Sequence, residues 1–246
     1  MATRRFYCDD LSGDRITLSD DQAAHARKSL RLSVGETVEL YDGRGGSAEC
    51  EIAELSRQMV VEVRDRTFVE PLLPVLDLAV AIPKGPRADA LVDAVSQLGV
   101  DRLIPLITEY SVVEPGANKL TRYERIAAES AKQCRRAYLM TIDPLTKLEA
   151  FFESDAYDRV ILSDLQGLQT EELLDGSSMI HEARRVLLLV GPEGGWSARE
   201  RERAAEAGWV SWRFGPNVLR VENAAAAGVA ILRAMTEPRN QQTEID

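Results

Sequence analysis

The sequence predicts an α/β protein in two parts, a small β-rich domain carrying one helix followed by a larger domain in which buried strands alternate with helices. Three observations predict it. Short strands separated by tight Gly- and Asp-containing turns fill the chain from Arg4 to Arg66. The stretch Glu70-Pro71-Leu72-Leu73-Pro74 then breaks the pattern with prolines that suit an extended linker better than a strand interior. Beyond it, apolar runs of strand length alternate with amphipathic helical stretches, the order that yields a largely parallel sheet. The expected division is residues 1–70 and 71–246.

In the first part, Arg15 to Leu18 alternates as a strand. Ser19-Asp20-Asp21-Gln22 reads as a capping box opening a helix that runs to about Leu32 and is basic at its end. Thr37 to Tyr41, the turn Asp42-Gly43-Arg44-Gly45-Gly46 and Ser47 to Leu55 predict a hairpin, with Met59 to Val63 as a further strand. Short strands joined this way suggest a compact barrel.

In the second part, the expected order is a strand over Val75 to Ile82, a helix from about Pro86 to Leu98 stopped by Gly99, and a strand over Arg102 to Ile107. Leu91, Val95 and Leu98 share one face of that helix. A long helix from about Leu120 to Tyr138, a short one near Leu148, and strands over Arg159 to Ser163 and Val186 to Val190 follow. Ser197 and Glu200 form a second capping box, Gly208 ends that helix, and Trp209 to Phe214 is the next strand. Asn223 is expected to cap the last helix, whose Ala224 to Ala227 run permits close packing.

Composition narrows the function classes. With 40 acidic and 30 basic side chains the net charge is −10, which argues against non-specific coating of nucleic acid, since that rests on phosphate neutralisation. Local basic patches remain compatible with it. Cys8, Cys50 and Cys134 are dispersed and odd in number, so a disulfide framework or a CxxC site does not fit and a reducing cytoplasm is expected. No apolar run approaches the roughly 20 residues of a membrane span, and MATRRFYCDD lacks the apolar core of a signal peptide. His25 and His181 are far apart with no ligand spacing around them, so no metal is expected.

The strongest local signal is VLLLVGPEGGWS, Val186 to Ser197, a buried strand ending in a glycine turn that feeds a capped helix. Glycines let main chain approach a ligand, and free N–H groups at the turn can hold its polar atoms. Neither GxxxxGK[ST] nor GxGxxG is present, and a tight connecting turn is an equally good reading of this segment alone. Phe214-Gly215-Pro216-Asn217-Val218-Leu219-Arg220-Val221-Glu222-Asn223-Ala224 is a second strand–loop–helix passage of the same kind. Two such loops at successive strand ends can form one pocket.

GPEGGWS followed by FGPNVLRVENA resembles the RsmE-type 16S rRNA uridine-N3 methyltransferases of the SPOUT superfamily. Matching segments extend over most of the chain: RRFY at Arg4, HARKSLRLSVGE at His25, YDGRGG at Tyr41, IPKGPR at Ile82, QLGVDRLIPL at Gln97, SVV at Ser111 and KQCRR at Lys132. The resemblance implies an N-terminal PUA-like β-barrel, a C-terminal SPOUT α/β domain with a deep trefoil knot, a cytoplasmic homodimer, and S-adenosylmethionine as cofactor with small-subunit rRNA as substrate. It implies cofactor contact from Leu189, Val190, Gly191, Glu193, Gly194 and Gly195, and from Phe214, Gly215, Leu219, Asn223 and Ala224. Arg220 is the expected stabiliser of charge developing on the uracil, and Glu222 either accepts the N3 proton or fixes Arg220.

Arg4, Arg5, His25, Arg27, Lys28 and Arg31, with Lys84, Arg87 and Arg136, are the expected RNA contacts, Arg135 standing beside them. For the cations near residue 28, a solvated helix end that complements the helix dipole is the competing reading. Gln133 and Cys134 fit either a helix face in the core or the mouth of the active site. The chain departs from the family pattern at Ala24, Ser96-Gln97, Lys132, around Ser163-Asp164, and at Asn217, Val221 and Asn223. These departures bear on the RNA target more than on fold or cofactor. They leave open a methyltransferase of a different RNA, or a non-catalytic RNA-binding assembly factor with the same fold.

Overall fold

The computed structural model describes residues 3–170, 172, 180 and 182–236; His181 lies outside the described residues. The chain forms two compact units, one of Met1–Pro71 with Ala131–Leu139 and one of Leu72–Ser130 with Met140–Asp246.

In the first unit, β1 (Arg4–Tyr7), β2 (Arg15–Leu18), β3 (Thr37–Tyr41), β4 (Gly46–Leu55) and β5 (Met59–Phe68) make one sheet in the order β1-β3-β4-β5-β2. Only the β1–β3 pairing is parallel in it. Helix α1 (Asp20–Lys28) follows the predicted capping box, with both Ser19 and Gln22 in place. Phe6, Leu18, Ala23, Ala26, Val38, Leu40, Ile52 and Val61 form the core between them.

Two boundaries differ from expectation. Helix α1 ends at Lys28 rather than Leu32, because Arg31 takes a left-handed conformation (φ 55°) and the Leu30 N–H turns back to the His25 carbonyl at 3.1 Å. Strand β5 continues to Phe68, paired to Gly46, because a register shift at Glu49/Cys50 lets the ladder run on through exposed polar residues that show no burial pattern.

The strap Ala131–Leu139 belongs with this unit, although its sequence position puts it beyond the linker. Its backbone pairs with the β3–β4 turn: the Gly45 N–H donates to Ala137 O at 3.1 Å and the Leu139 N–H to Gly43 O at 2.9 Å. Gly43 and Gly45 both have positive φ (70° and 98°), and a Cβ on Gly43 would stand 2.5 Å from the Leu139 side chain. Only glycine admits the strap there.

In the second unit, β6 (Val75–Val80), β7 (Arg102–Ile107), β8 (Thr141–Ile142), β9 (Thr146–Lys147), β10 (Arg159–Gln169), β11 (Arg185–Val190) and β12 (Val210–Arg213) form a sheet in the order β12-β10-β11-β6-β7-β8, with β9 also on β7. Every pairing in it is parallel. Helices bounded among the described residues are α2 (Arg87–Gln97), α3 (Ala117–Gln133), α4 (Glu149–Phe152), α5 (Ala198–Glu206) and α6 (Val221–Thr236).

Both faces of this sheet are covered, which is why its strands read as unbroken apolar runs. Along β11, Val186, Leu188 and Val190 join one core with residues of α2, α3 and α6, while Leu187 and Leu189 join the other with Phe151 and Ala204. Helix α3 stops at Gln133, short of Tyr138: Arg135 is left-handed (φ 59°) and the Arg136 N–H closes on Ala131 O at 3.0 Å. Asn223 is not the cap of α6. The helix starts at Val221, the Arg220 carbonyl accepts from the Ala224 N–H at 2.8 Å, and Asn223 lies exposed in the first turn.

Candidate active site

Strands β10, β11 and β12 run parallel with β10 in the middle, so their C-terminal ends open side by side. The loops leaving them enclose an open cleft lined from all three strand ends. Ligands in open α/β sheets bind outside the carboxyl ends of the strands.

The first wall is the exit of β11. Trp196 is buried, and its Nε1–H donates to the Ser163 carbonyl at 2.7 Å, fixing the indole beneath Gly191. A Cβ on Gly191 would stand 3.0 Å from that ring, so any larger residue would press on the indole where the chain leaves the strand. The Gly195 N–H closes the turn on Pro192 O at 2.8 Å, with Gly195 at φ 71°. Helix α5 then opens on its capping box: the Ser197 N–H donates to Glu200 Oε2 at 2.8 Å, and Glu200 Oε1 accepts from the Glu109 N–H at 2.9 Å.

The second wall is the exit of β12. Arg213 donates from Nε to Gly215 O at 2.9 Å and from Nη2 to Pro216 O at 3.2 Å, holding the loop to its own strand. Phe214 lies across α6 at Gly228, where a Cβ would come within 2.8 Å of its ring. The third wall is the end of β10, where buried Asp164 pairs with Arg201 (Oδ2 to Nε, 2.7 Å) and accepts from the Gln166 N–H at 3.2 Å.

Of the residues the sequence singled out for the cofactor, Val190, Gly191, Glu193, Gly195, Phe214, Gly215, Leu219 and Ala224 line this cleft together. Leu189, Gly194 and Asn223 do not. Leu189 is fully buried in the core on the far face, because successive side chains of β11 alternate. A Cβ on Gly194 would face Tyr110 at 3.0 Å.

Arg220 is exposed on the segment between Leu219 and Val221, both of which line the cleft. Glu222 stands in the first turn of α6; its Oε2 is buried without a hydrogen-bond partner and lies 3.8 Å from Arg87 Nη1. Arg87 Nη2 is 3.2 Å from Glu193 Oε1.

Sequence reasoning missed the β10 wall (Ser163, Asp164, Leu165) and Trp196, Arg201, Trp212 and Arg213. The visible signal was Asp164 at the end of an apolar strand. Arg201, one cation on a charged helix, carried none. Among the RNA candidates of the first unit, Arg4, His25, Lys28 and Arg31 are exposed, and Arg27 and Arg136 are half-buried. Arg5 is instead turned inward, 3.1 Å from Glu39, donating to Arg136 O at 3.4 Å and packed over the Tyr41 ring at 4.3 Å. In the second unit Lys84 is exposed and Arg87 half-buried. Gln133 and Cys134 are exposed. Among the described residues no cluster of His, Cys, Asp and Glu could hold a metal ion, and no helix is long and apolar enough to cross a membrane.

Comparison with known proteins places this geometry in a family. An RNA methyltransferase domain model matches residues 71–233, and an RNA methyltransferase PUA domain model matches residues 18–62. The chain is 29% identical to Ribosomal RNA small subunit methyltransferase E of Synechocystis, over 90% of this chain and 74% of that one. It is 28% identical to the protein of the same name from Mycobacterium bovis, over 96% and 93%. A Legionella pneumophila protein solved in complex with the bound cofactor SAM superposes with a TM-score of 0.82 at 26% identity, covering 96% of this chain and 99% of that one. Ribosomal RNA small subunit methyltransferase E from Neisseria gonorrhoeae shares the fold with a TM-score of 0.84 at 24% identity, over 96% and 98%. With a PUA-like domain ahead of a parallel-sheet domain whose cleft is built from two glycine loops, the chain belongs to the RNA methyltransferase domain family.

Proposed function

We propose that this chain transfers the methyl group of S-adenosylmethionine to N3 of a uridine in small-subunit (16S) rRNA. The observation that carries the reading is the single cleft at the ends of β10, β11 and β12, in which two glycine loops face each other across the end of a third strand. Its make-up fits the cofactor. Val190, Pro192, Phe214 and Leu219 offer apolar walls for an adenine ring, and Gly191, Gly195 and Gly215 leave backbone open to polar atoms. The names of the relatives support the substrate.

The bound cofactor supplies a methyl group already activated on a sulfonium sulfur. What this chain must add concerns the acceptor. N3 of uracil carries a proton at neutral pH, so transfer requires the proton to leave and the charge spread over the carbonyl oxygens to be met by a cation. Arg220, exposed beside the cleft, meets that charge. Glu222, one turn into α6 with a buried oxygen free of hydrogen bonds, receives the proton. Arg4, His25, Lys28 and Arg31 of the first unit, with Lys84 of the second, contact phosphates and hold the RNA.

The finer architecture belongs to the same reading. A deep trefoil knot in the second unit is inferred from the family resemblance; the order in which β11 enters between β6 and β10, two strands that precede it, is compatible with it. A homodimer is supported by Leu165, Val218 and Leu219 at the cleft, exposed by 53, 78 and 40%. The Ala-rich run of α6 is not that surface, since Ala224 and Ala225 are buried in the chain's own core. The cytoplasm, where ribosomal subunits are made, is the expected compartment.

Methyl transfer from labelled S-adenosylmethionine to small subunits lacking the modification, followed by nucleoside analysis, tests the reaction. Labelled N3-methyluridine is the expected product. Cofactor binding with transfer to a different base overturns the target, and absence of cofactor binding overturns the reaction. Sedimentation at working concentration tests the dimer, and a monomer would count against it.

A further inference from the structure

Arg87 begins α2, at the end of a helix where the dipole disfavours a cation. Helix formation does not account for it. Its guanidinium instead reaches two carboxylates from two different elements, Nη2 lying 3.2 Å from Glu193 Oε1 in the β11 loop and Nη1 lying 3.8 Å from Glu222 Oε2 in the first turn of α6. The two contacts are unequal. The 3.8 Å separation exceeds the roughly 2.7–2.9 Å of a charge-assisted hydrogen bond, and Glu222 Oε2 is buried with no hydrogen-bond partner.

Arg87 therefore orients the Glu222 carboxylate by charge while leaving its oxygen's lone pairs unused. On the other side it pairs at 3.2 Å with half-exposed Glu193, a residue of the loop that lines the cofactor cleft. An arginine fork can hold two carboxylates at a fixed mutual position, which an ammonium, lacking the planar fork, does less well.

We propose that Arg87 is a positioning residue: it ties the β11 loop to Glu222, so that seating of the cofactor against Glu193 fixes the carboxylate that takes the uracil proton. This deepens the reading above and rests on it, and it removes Arg87 from the RNA contacts. No proton or methyl group passes through Arg87; the N3–H bond breaks toward Glu222, the methyl–sulfur bond breaks as the N3–methyl bond forms, and neutral S-adenosylhomocysteine leaves.

The test compares wild type, Arg87→Met, Arg87→Lys, Glu222→Gln and the Arg87→Met/Glu222→Gln double variant. Misplacing a catalytic group can cost about 100-fold, so Arg87→Met should lower kcat about 30- to 100-fold with S-adenosylmethionine affinity changed by less than about threefold. Arg87→Lys should recover part of the loss. The double variant should be no slower than Glu222→Gln alone, because Arg87 then has nothing left to position. Losses that multiply, or an unchanged kcat in Arg87→Met, overturn the proposal.

A second readout needs no RNA. Saturating S-adenosylmethionine should slow amide hydrogen exchange at the start of α6 more strongly in wild type than in Arg87→Met, the part that remains coming from Val221 and Ala224 in the cleft wall; equal protection in both overturns the link. Nucleoside analysis of the wild-type product tests the reaction separately. A methylated base other than N3-methyluridine overturns the target while the kinetic ratios and the exchange data still decide the role of Arg87.

Discussion

The two ends of the parallel sheet both carry buried acidic residues, and they treat them in opposite ways. Toward the N-terminal end, Asp77 on β6 is fully buried and gripped on one oxygen by two arginines: Arg102 at 3.1 Å through Nε and 2.8 Å through Nη2, and Arg185 at 3.0 Å through Nε and 2.9 Å through Nη2. Arg102 also donates to Tyr157 at 2.7 Å and pairs with Asp143 at 3.1 Å. At the C-terminal end, Asp164 has one arginine, and Glu222 has a charge at 3.8 Å with no hydrogen bond on its buried oxygen. Two guanidiniums meet the Asp77 charge through Oδ2 and hold strands together, although Asp77 Oδ1 is itself buried without a hydrogen-bond partner, whereas Glu222 beside the cleft has no guanidinium within hydrogen-bond distance. An unpartnered buried oxygen alone does not mark a site, since Asp77 Oδ1 is one too; what marks Glu222 is that its charge is met only at 3.8 Å, next to residues that line a cleft.

The sharpest way to test that contrast is to remove one charge from each end. Arg220→Ala should cut methyl transfer about 100- to 1,000-fold, the usual cost of losing one group aimed at developing charge, with the urea midpoint and cofactor affinity nearly unchanged. Residual activity within a factor of a few of wild type would remove Arg220 from the mechanism. Asp77→Ala should do the reverse. It strands two arginines that are about one-third exposed and can reach water, so the expected destabilisation is about 2–3 kcal/mol, below that of a fully buried pair, with kcat per folded molecule retained. Urea unfolding beside single-turnover rates separates the two outcomes.

The same contrast explains what could be read from the chain and what could not. The parallel sheet was legible because both its faces are covered, and the two glycine loops because two such passages leave strand ends that can share one pocket, although either alone reads equally well as a connecting turn. Capping boxes at Ser19 and Ser197 were legible because they are local chemistry. Asp164 and Arg201 were not, since they meet across 37 positions of sequence. The end of β10 was hidden for a related reason: Gly167 passes so close to the Ser211–Trp212 backbone that a Cβ would sit 2.5 Å from Trp212 N, a tertiary contact with no local signature. Leu189, carried over from the family resemblance, lies in the core outside the cleft lining, and an all-apolar strand does not reveal which face each residue takes. The strap Ala131–Leu139 was read as helix because its turning point, Arg135, is a non-glycine residue at positive φ.

A smaller effect is expected where the cleft depends on shape alone. Gly191→Ala puts a methyl group 3.0 Å from the Trp196 ring, which is held by its bond to Ser163 and cannot yield freely. Overpacking of this kind costs about 1–3 kcal/mol, to be shared between stability and cofactor binding. Isothermal titration should show weaker S-adenosylmethionine binding, and the Trp196 emission should shift. Unchanged affinity would mean that the cofactor does not approach the backbone at Gly191.

The smallest effect tests the Asp77 end by pH. Burial, and then the charge of Asp77, push the Tyr157 phenol up from 10.0 to about 12. The folded chain therefore keeps this proton at pH values where the unfolded chain loses it. The associated stability is fully present below pH 10, declines above it, and is lost as pH rises through about 12. Tyr7, whose hydroxyl donates to Asp9 at 2.5 Å, is raised to about 12 in the same way, so Tyr157 contributes only part of the alkaline slope. Tyr157→Phe should thus flatten, without abolishing, the fall in urea midpoint between pH 10 and 12, while slightly lowering stability at pH 7 through the lost bond from Arg102. An identical alkaline slope in the variant would mean that the phenol titrates as it does in the unfolded chain, and that the Asp77 network is open to water rather than closed.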